Sequence, residues 1–396
     1  MTAAARHPDG ERLTVGIVGA GAVAFGAAAF LENAGHRAFL WSPSGEGTKR
    51  LAAGEELLAT GAIEGAFRPG VAASAADLVE RSQVLLIALP AYGHRQVMDA
   101  VAPHIRDDQA VLISSHASFG ALYLSRLLAA RGIVVPIVAW GTTVTTGRRQ
   151  GPVEVAVNTV RSKIDICTVP ATRGAEGLAV CRKLFGDRFV ERDGLLAIAL
   201  SNLNPQNHLG IALCNMTRME HGETWAQGFN VTPNVGRLLE ALDRERLAIA
   251  AALGVSVRTI FEHFHLSFHV PVGSISDMNQ QMHREGRGGT GPATADSRYV
   301  TEDVPYGLLA TVKLGALTGR PARLHEAGIE LCSALYGRDF FSENELLRAL
   351  DLDAMPLDEL QALCRDGYVP SMPAESAFAG LSADRMGEIK PMGELK

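Results

Sequence analysis

The chain has 396 residues, which suits two domains of ordinary size. Hydrophobic residues make up 47% of it and charged residues 20%, and this balance excludes a mostly unfolded chain. The net charge is −6, whereas proteins that bind nucleic acid or an anionic membrane surface are usually basic, so neither partner is expected.

Strands and helices alternate in the first half of the chain. Strands are predicted at 13–18, 37–41, 84–89, 111–114, 134–140, 153–158 and 164–169, and helices at 22–33, 95–101, 119–130 and 175–184. This alternation is typical of crossover units that form a parallel sheet with helices on both faces. We place the strands at 153–158 and 164–169 near the edge of that sheet.

The second half lacks this alternation. After Arg192 the apolar residues recur at helical spacing, which predicts helices at 205–220, 235–253, 308–317 and 324–336. The change places a domain boundary between about residues 190 and 205. The tail from Pro370 is rich in Ser, Pro, Ala and Gly, so we expect it to be loosely ordered.

The cysteines and the N-terminus bear on the cellular compartment. Five cysteines stand far apart without a C-x-x-C pair, so the sequence predicts neither a disulfide framework nor a zinc site. Residues 1–12 are polar and contain no apolar segment of a secretory signal, and the longest apolar runs, such as 247–253, are too short to cross a membrane. We therefore expect a cytoplasmic protein.

A glycine motif follows the first predicted strand. Residues 19–24, GAGAVA, fit the pattern G-x-G-x-x-A between a strand and a helix, which is a fingerprint of dinucleotide binding. Gly19 permits the tight turn, Gly21 lets a pyrophosphate approach the backbone, and Ala24 allows close packing of the helix on the sheet. The N-terminus of that helix offers free N–H groups to the phosphates.

The end of the second strand selects between NAD and NADP. An acidic residue there would bind the ribose 2′-hydroxyl of NAD. The sequence instead has Ser42 and Ser44, followed by Lys49 and Arg50, and hydroxyls with cations suit a 2′-phosphate. We favour NADP(H), with NAD(H) as the alternative cofactor. The competing interpretation is that the two cations belong to a solvated helix face.

Together these patterns predict an α/β fold. A doubly wound sheet of the Rossmann type forms a dinucleotide-binding domain, residues 1–195, and a mainly α-helical catalytic domain follows, residues 196–396. The carboxyl ends of the strands in such a sheet face the cofactor. Pro90 and Tyr92 follow the strand at 84–89, so we expect them to contact the cofactor, although Tyr92 equally fits a role confined to its loop.

The most informative residues of the second half are 204–208, with the sequence NPQNH. Asn204 is a good N-cap and Pro205 a good first helical residue, which places His208 about one turn into a helix. The helix dipole there disfavours the imidazolium, and Asp303 would favour it again if the fold brings the two together. Such a pair suits a histidine that transfers protons, whereas a lone helical histidine is more often structural.

Three motifs together resemble the octopine/nopaline (opine) dehydrogenase family. They are the glycine motif, the segment 204–208, and residues 298–307, RYVTEDVPYG, and the resemblance spans about residues 13 to 350. It implies a dinucleotide domain followed by a helical domain. It also implies the condensation of a 2-oxo acid, often pyruvate, with the amine of an amino acid, after which NAD(P)H reduces the imine.

The resemblance also implies roles for single residues. His208 matches the catalytic histidine, Asp303 the carboxylate that orients and charges it, and Arg298 a clamp for a substrate carboxylate. A planar guanidinium holds a carboxylate through two parallel hydrogen bonds. Asn204 and Thr143 are placed in the substrate site as well, although an ordinary strand-end hydroxyl explains Thr143 equally well.

Several features stay open at this point. His263, His265 and His269 do not share one helix face, so no metal site is predicted. The segment 267–291 either shapes the amine pocket as a wall or lid, or forms a solvated loop. The expected partners are a small 2-oxo acid and an amino acid, with the protein as a homodimer. The competing functions are an NADPH-dependent reductase of a 2-oxo acid or related carbonyl without amine condensation, and a nucleotide-sensing protein without chemistry.

Overall fold

The structure, a computed structural model, describes residues 12–370, so the expected loose tail lies almost wholly outside the described residues. The strands in that range are β1 (Thr14–Val18), β2 (Arg37–Trp41), β3 (Leu57–Gly61), β4 (Gly65–Phe67), β5 (Gly70–Val71), β6 (Val84–Ile87), β7 (Ala110–Ile113), β8 (Ile137–Trp140), β9 (Thr145–Gly151), β10 (Glu154–Val160), β11 (Ile164–Val169) and β12 (Phe189–Glu191).

The eight predicted helices are present, with ends shifted by at most two residues, and the described chain contains nine further α-helices that were not predicted. They are α1 (Ala22–Asn33), α2 (Lys49–Ala52), α3 (Ala75–Arg81), α4 (His94–Val101), α5 (Gly120–Ala129), α6 (Gly174–Phe185), α7 (Gly194–Ser201), α8 (Asn204–Glu220), α9 (Gln227–Asn230), α10 (Pro233–Ala252), α11 (Ile260–Phe268), α12 (Ile275–Arg284), α13 (Arg298–Thr301), α14 (Leu309–Leu317), α15 (Arg323–Tyr336), α16 (Glu345–Ala349) and α17 (Leu357–Asp366). A π-helical turn, Val304–Leu308, leads into α14.

Eight strands form the main sheet, in the order β12-β11-β8-β7-β6-β1-β2-β5. The six strands from β8 to β5 run parallel, because helices or longer segments carry the chain back between them. Only β11 runs antiparallel to its neighbour β8 in this sheet, with β12 parallel to it. A parallel sheet with helices, followed by a mostly helical second half, confirms the predicted fold class.

A second sheet, in the order β4-β3-β10-β9, is absent from the sequence prediction. The expectation that residues 153–158 lie near the edge of the main sheet is therefore wrong. The strand β10 buries Val155 and Val157 while Glu154 and Asn158 are exposed, which is the alternation of a strand with one covered face. That covered face packs beside α1, and the antiparallel pair β9–β10 carries the chain out and back before β11.

Apolar side chains are buried on both faces of the main sheet, and on one face they join the sheet to the helical half of the chain. On one face, Ile17 lies in a cluster with Trp140 and Phe185, whose rings meet edge to face with centroids 5.3 Å apart. On the other face, Ile87 belongs to a cluster that continues through Leu195 into the helical half. Removing this apolar surface from water stabilises the sheet and also holds the helices against it.

The described chain has no strand after Glu191, so its remaining length is helix and loop up to residue 370. The division of the chain at residues 195 and 196 stays a prediction. Among the described helices, none combines the length and the apolar character that a membrane crossing requires.

Two buried histidines lie beside the carboxyl ends of the parallel strands. His94 begins α4 and His116 follows β7, and both are nearly inaccessible to solvent. Burial lowers the pKa of His94 to about 4 and that of His116 to about 3, and the neighbouring His94 adds to the second effect. The folded protein therefore keeps both rings neutral at pH values where the unfolded chain binds protons.

The low pKa values of His94 and His116 predict that the folded protein becomes less stable as the pH falls. Because both pKa values are depressed in the fold, stability is fully present above about pH 6.5 and falls below it, by about 1.4 kcal/mol per pH unit for each histidine. His116→Gln should make the free energy of unfolding, measured with urea, less dependent on pH between about pH 6.5 and 5. His104→Gln, which removes an exposed histidine, is the control. An unchanged slope in His116→Gln would contradict a neutral buried imidazole.

Candidate active site

A cavity of about 550 Å³, hereafter the cleft, opens between the main sheet and the helical half. On the sheet side it is lined by Ala91, which follows β6, and by Ser115 and Ala117, which follow β7. On the helical side it is lined by the start of α8 and by residues 292–307. Ligands of doubly wound sheets bind at the carboxyl ends of the strands, and the cleft lies there.

His208 and Asp303 meet in the cleft. The imidazole Nδ1 lies 2.7 Å from Asp303 Oδ2, although the residues are 95 positions apart, and both side chains are about four-fifths buried. A carboxylate only accepts hydrogen bonds, so Nδ1 carries the proton in this pair. Nε2 of His208 has no hydrogen-bond partner among the described residues, and it belongs to a side chain that lines the cleft. The pair can therefore exchange a proton with a molecule bound there.

The start of α8 places His208 in its second turn. The helix begins at Asn204, one residue before the predicted start, and the Asn204 side chain makes no capping hydrogen bond. The expected N-cap role of Asn204 is therefore wrong, since Oδ1 of Asn202 accepts the Asn204 N–H at 3.1 Å instead. Asn202 and Asn204 both line the cleft.

Tyr299 is a cleft residue that the sequence analysis missed. Its ring stacks on the imidazole of His208, with centroids 3.5 Å apart and planes 8° from parallel. A signal for it was present, because Tyr299 stands four residues before Asp303 and side chains at that spacing share a face of a helix. Asp303 itself precedes the π-helical turn, a rare conformation that is frequent at functional sites.

Arg298 lines the cleft with 65% of its side chain exposed, so it is accessible to a ligand. Its Nε donates to Oε2 of Glu302, one turn along α13. The other carboxylate oxygen, Oε1 of Glu302, accepts the N–H of Ala91 at 2.9 Å. Glu302 thus connects the predicted clamp to the turn that follows β6, across 211 residues of sequence. Sequence reasoning gave no role to Glu302.

The loop after β7 approaches the cleft in a strained conformation. Ser115 and Ser118 have φ of 58° and 51°, a region that costs a residue other than glycine about 1–3 kcal/mol. The buried Asn344 amide donates to Ser118 Oγ and to the Pro305 carbonyl, both at 2.8 Å. Ser118 Oγ in turn donates to the Tyr306 carbonyl at 2.6 Å. These bonds hold the loop against the residues that follow Asp303.

The glycine motif has the geometry of a phosphate cradle. Gly19 has φ of +133°, and a Cβ there would lie 2.4 Å from the Ala88 carbonyl oxygen, so only glycine fits. A Cβ on Gly21 would have no atom within 4 Å, which leaves its side open to a ligand. Ala24, in the first turn of α1, is fully buried, and no side chain caps the N–H groups at the start of this helix. These features fit a bound pyrophosphate.

The residues after β2 fit an adenosine ribose or its phosphate. Ser42 Oγ is buried and lacks a hydrogen-bond partner in the described part of the chain, which suits a hydroxyl that pairs with a ligand. Ser44, Lys49 and Arg50 are exposed. Arg50 Nε lies 2.5 Å from Glu55 Oε1, so this guanidinium already has a partner, whereas Lys49 has no ion pair among the described residues.

Three further residues, Pro90, Tyr92 and Thr143, were predicted to contact the cofactor or the substrate, and the structure places them differently with respect to the cleft. Pro90 begins the turn that carries Ala91 into the cleft, and Tyr92 in the same turn is 54% exposed. Thr143 is not among the residues that line the cleft, and its hydroxyl donates to the Thr145 carbonyl at 2.7 Å. The substrate role of Thr143 therefore lacks the expected position, and the strand-end interpretation accounts for its contact.

The segment 267–291 is helical at 267–268, the end of α11, and at 275–284, all of α12, and its other residues are not helical. The interpretation as a solvated loop is therefore wrong for these helical residues. None of its residues lines the cleft, whereas Pro292, Thr294 and Asp296, which follow it, do. In residues 12–370, no three His, Cys, Asp or Glu side chains group as a metal site would require.

Family models match both halves of the chain. The model for the α-helical domain of NAD/NADP octopine/nopaline dehydrogenase matches residues 191–336. The model for ketopantoate reductase PanE/ApbA matches residues 15–166. The first match covers the segment that contains His208, Arg298 and Asp303, and the second covers the glycine motif.

Individual relatives cover nearly the whole chain. An opine dehydrogenase from Arthrobacter sp. (strain 1C) is 29% identical over 353 residues, which are 87% of this chain and 97% of that protein. Octopine dehydrogenase, solved with NADH and pyruvate, matches 90% of this chain and 99% of its own with a TM-score of 0.73 and 16% identity. It was also solved with NADH and agmatine, with a TM-score of 0.75, 16% identity, and coverage of 89% and 98%.

Yersinopine dehydrogenase with bound NADP⁺ matches as well, with a TM-score of 0.66 and 16% identity over 88% of this chain and 98% of its own. At this identity the solved structures establish a shared fold. The helical-domain model and the full-length relative extend that likeness to the sequence of the cleft. Residues 191–336 match the α-helical domain of the NAD/NADP octopine/nopaline dehydrogenase family, and the chain is similar to an opine dehydrogenase along nearly its whole length.

Proposed function

We propose that the protein is an NADP(H)-dependent opine dehydrogenase. It condenses a pyruvate-like 2-oxo acid with the amine of an amino acid and reduces the product to an N-(carboxyalkyl) amino acid. The observation that carries the proposal is the hydrogen bond of 2.7 Å between His208 and Asp303, in a cleft that also contains Arg298. The complexes of octopine dehydrogenase with pyruvate and with L-arginine support the two substrate classes.

The cleft residues account for the proton transfers of this reaction. With Nδ1–H held by Asp303, the neutral ring of His208 presents the lone pair of Nε2 and takes one proton from the ammonium group of the amino acid, which frees the amine to attack. A carbon–nitrogen bond forms, and one of the two protons left on nitrogen passes to the carbonyl oxygen, which becomes a hydroxyl. The imidazolium, stabilised by the Asp303 carboxylate, then returns its proton as that hydroxyl leaves as water and the C=N bond forms. A reduced nicotinamide, when bound, supplies the hydride that reduces this bond.

Arg298 is proposed to bind the carboxylate of the oxo acid. Its side chain lines the cleft and is exposed, while Nε is bonded to Glu302. A guanidinium has further N–H groups on its two terminal nitrogens, and these can hold a carboxylate in a bidentate pair. Holding the keto acid at a fixed distance from His208 replaces a bimolecular encounter with an oriented one, which alone lowers a barrier by several kcal/mol.

Residues at the carboxyl ends of β1, β2 and β6 are proposed to hold the cofactor. Gly19, Gly21 and Ala24 shape the pyrophosphate cradle. Ser42 and Lys49 lie after β2, and neither side chain has a hydrogen-bond or ion-pair partner among the described residues. A 2′-phosphate suits this hydroxyl and cation better than a bare ribose, and yersinopine dehydrogenase offers a precedent for NADP⁺. The homodimer and the cytoplasmic location stay predictions.

The direct test is a matrix of 2-oxo acids against amino acids, polyamines and ammonia. Consumption of NADPH and the mass of the product are measured for each pair. We expect consumption to require both substrates and the product to contain both carbon skeletons joined by a secondary amine. Reduction of an oxo acid at the same rate without any amine would instead establish the simple reductase, a reaction that needs no carbinolamine.

Replacement of single cations tests the choice of cofactor. Lys49→Ala should raise the KM for NADPH about tenfold, the effect of one lost charge-assisted hydrogen bond, and change the KM for NADH much less. Arg50→Ala should have a smaller effect because Glu55 already binds that guanidinium. Arg37→Ala removes an exposed cation at the other end of β2 and is the control. Equal loss of both cofactors in Lys49→Ala would refute the phosphate contact.

A further inference from the structure

The stacked pair of Tyr299 and His208 has no role in the chemistry above. The two rings lie 3.5 Å apart at 8°, so the tyrosine covers one face of the imidazole. Both residues line the cleft, and the His208–Asp303 bond lies in the same place. Any molecule that reaches Nε2 of His208 therefore approaches a ring whose one face is already occupied.

Tyr299 is itself held from a second side. Its hydroxyl donates to Oε1 of Gln227 at 2.8 Å. Burial raises the pKa of Tyr299, and the charge of Asp303 raises it further, so the hydroxyl keeps the proton that it donates. The hydrogen bond with Gln227 and, less strongly, the cation of Arg148 lower the pKa but do not outweigh this rise.

Gln227 is fixed by backbone contacts with the glycine-rich segment 286–291. Its N–H donates to the Gly289 carbonyl at 3.0 Å, and the N–H of Gly228 donates to the Gly288 carbonyl at 2.9 Å. Ala226 forms an antiparallel bridge with Thr290. The amide that receives the Tyr299 hydroxyl is therefore attached to two segments of backbone rather than to a free loop.

The same segment is anchored at Trp225. The indole Nε1 donates to the Pro292 carbonyl at 2.9 Å. Gly291 lies so close to the indole that a Cβ there would be 2.2 Å from a ring atom. The contacts from Trp225 to Gly228 thus join the glycine-rich segment into one wall beside the cleft, although the segment itself does not line it.

A single hydrogen bond does not fix the plane of an imidazole. The bond to Asp303 sets the position of Nδ1, but the ring remains free to rotate about the line that joins it to the carboxylate. A second ring stacked parallel at 3.5 Å removes that rotation because any tilt brings ring atoms into overlap. The direction of Nε2 then depends on where Tyr299 is held.

We propose that Tyr299, anchored by Gln227, is a positioning residue that sets the plane of the His208 ring and directs Nε2 toward the substrate. This inference rests on the proposed function, since it assigns His208 the proton transfers. It gives the glycine-rich segment a role as well, because that segment holds Gln227. The electron-rich face of the tyrosine also favours the protonated imidazole that forms during the reaction.

Substitutions of Tyr299 distinguish the effect of its stacked ring from the effect of its hydrogen bond to Gln227. Tyr299→Leu removes the stacked ring. The kcat should then fall about 10- to 100-fold, because a misdirected His208 loses part of the rate enhancement that general acid–base catalysis provides. The KM of each substrate and the Kd of NADPH should change less than about threefold, and the solvent deuterium isotope effect on kcat should rise as proton transfer becomes slower. Tyr299→Phe keeps the stack and loses the anchor, so it should retain most of the wild-type kcat.

The anchor is tested with Gln227→Leu. It should lower kcat to the same modest extent as Tyr299→Phe, and the double variant should lose no more than either single variant, because both break one hydrogen bond. Tyr368→Leu removes a partly buried tyrosine outside the cleft and should leave kcat unchanged. A wild-type kcat in Tyr299→Leu, or multiplicative losses in the double variant, would overturn the proposal.

A spectroscopic measurement distinguishes this proposal from the proposed function. In the protein without substrates, the His208 Nδ1–H proton should give a downfield NMR signal that persists in Tyr299→Phe and broadens in Tyr299→Leu, as the ring becomes mobile. This result needs no turnover, so it supports the positioning role even if the substrate matrix fails. An equally sharp signal in Tyr299→Leu would overturn the positioning role even if the matrix succeeds.

Discussion

One hydrogen bond, between His208 and Asp303, gives the cleft its chemistry. The two residues lie 95 positions apart, and the bond forms because α8 packs against α13 and against the π-helical turn that Asp303 precedes. On α8, the residues within one turn of His208 are uncharged. The carboxylate from another element fixes which nitrogen carries the proton, and that choice leaves the other nitrogen to the substrate.

The surrounding fold keeps this bond at the edge of the sheet. The apolar cluster on one sheet face continues into the helical half, so the two sides of the cleft share buried surface. Polar contacts refine that arrangement: Glu302 accepts the N–H of Ala91, and Asn344 joins Ser118 to the Pro305 carbonyl. Strain at Ser115 and Ser118 is tolerated because these contacts determine the loop conformation. The cleft is therefore a property of both halves together.

The sequence predicted those features of the fold and the site that depend on residues close together in the chain. The glycine motif, the alternating strands and helices, and the position of His208 in a helix follow from spacing alone. The meeting of His208 with Asp303 needed the family resemblance, since no local pattern joins distant residues. The small sheet escaped because β4 has only three residues and β9, with the sequence TTGRRQG, is rich in glycine and polar residues. Tyr299 escaped because stacking depends on how two helices pack.

A double-mutant cycle on His208 and Asp303 tests the central claim most directly. His208→Ala should lower kcat by about 10²- to 10⁴-fold while the Kd of NADPH stays within about twofold of wild type. Asp303→Asn keeps the shape of the side chain but removes its charge. Combining it with His208→Ala should lower kcat little further, because the two residues act as one pair that His208→Ala has already inactivated. Losses that multiply, or a His208→Ala variant with wild-type kcat, would contradict the account.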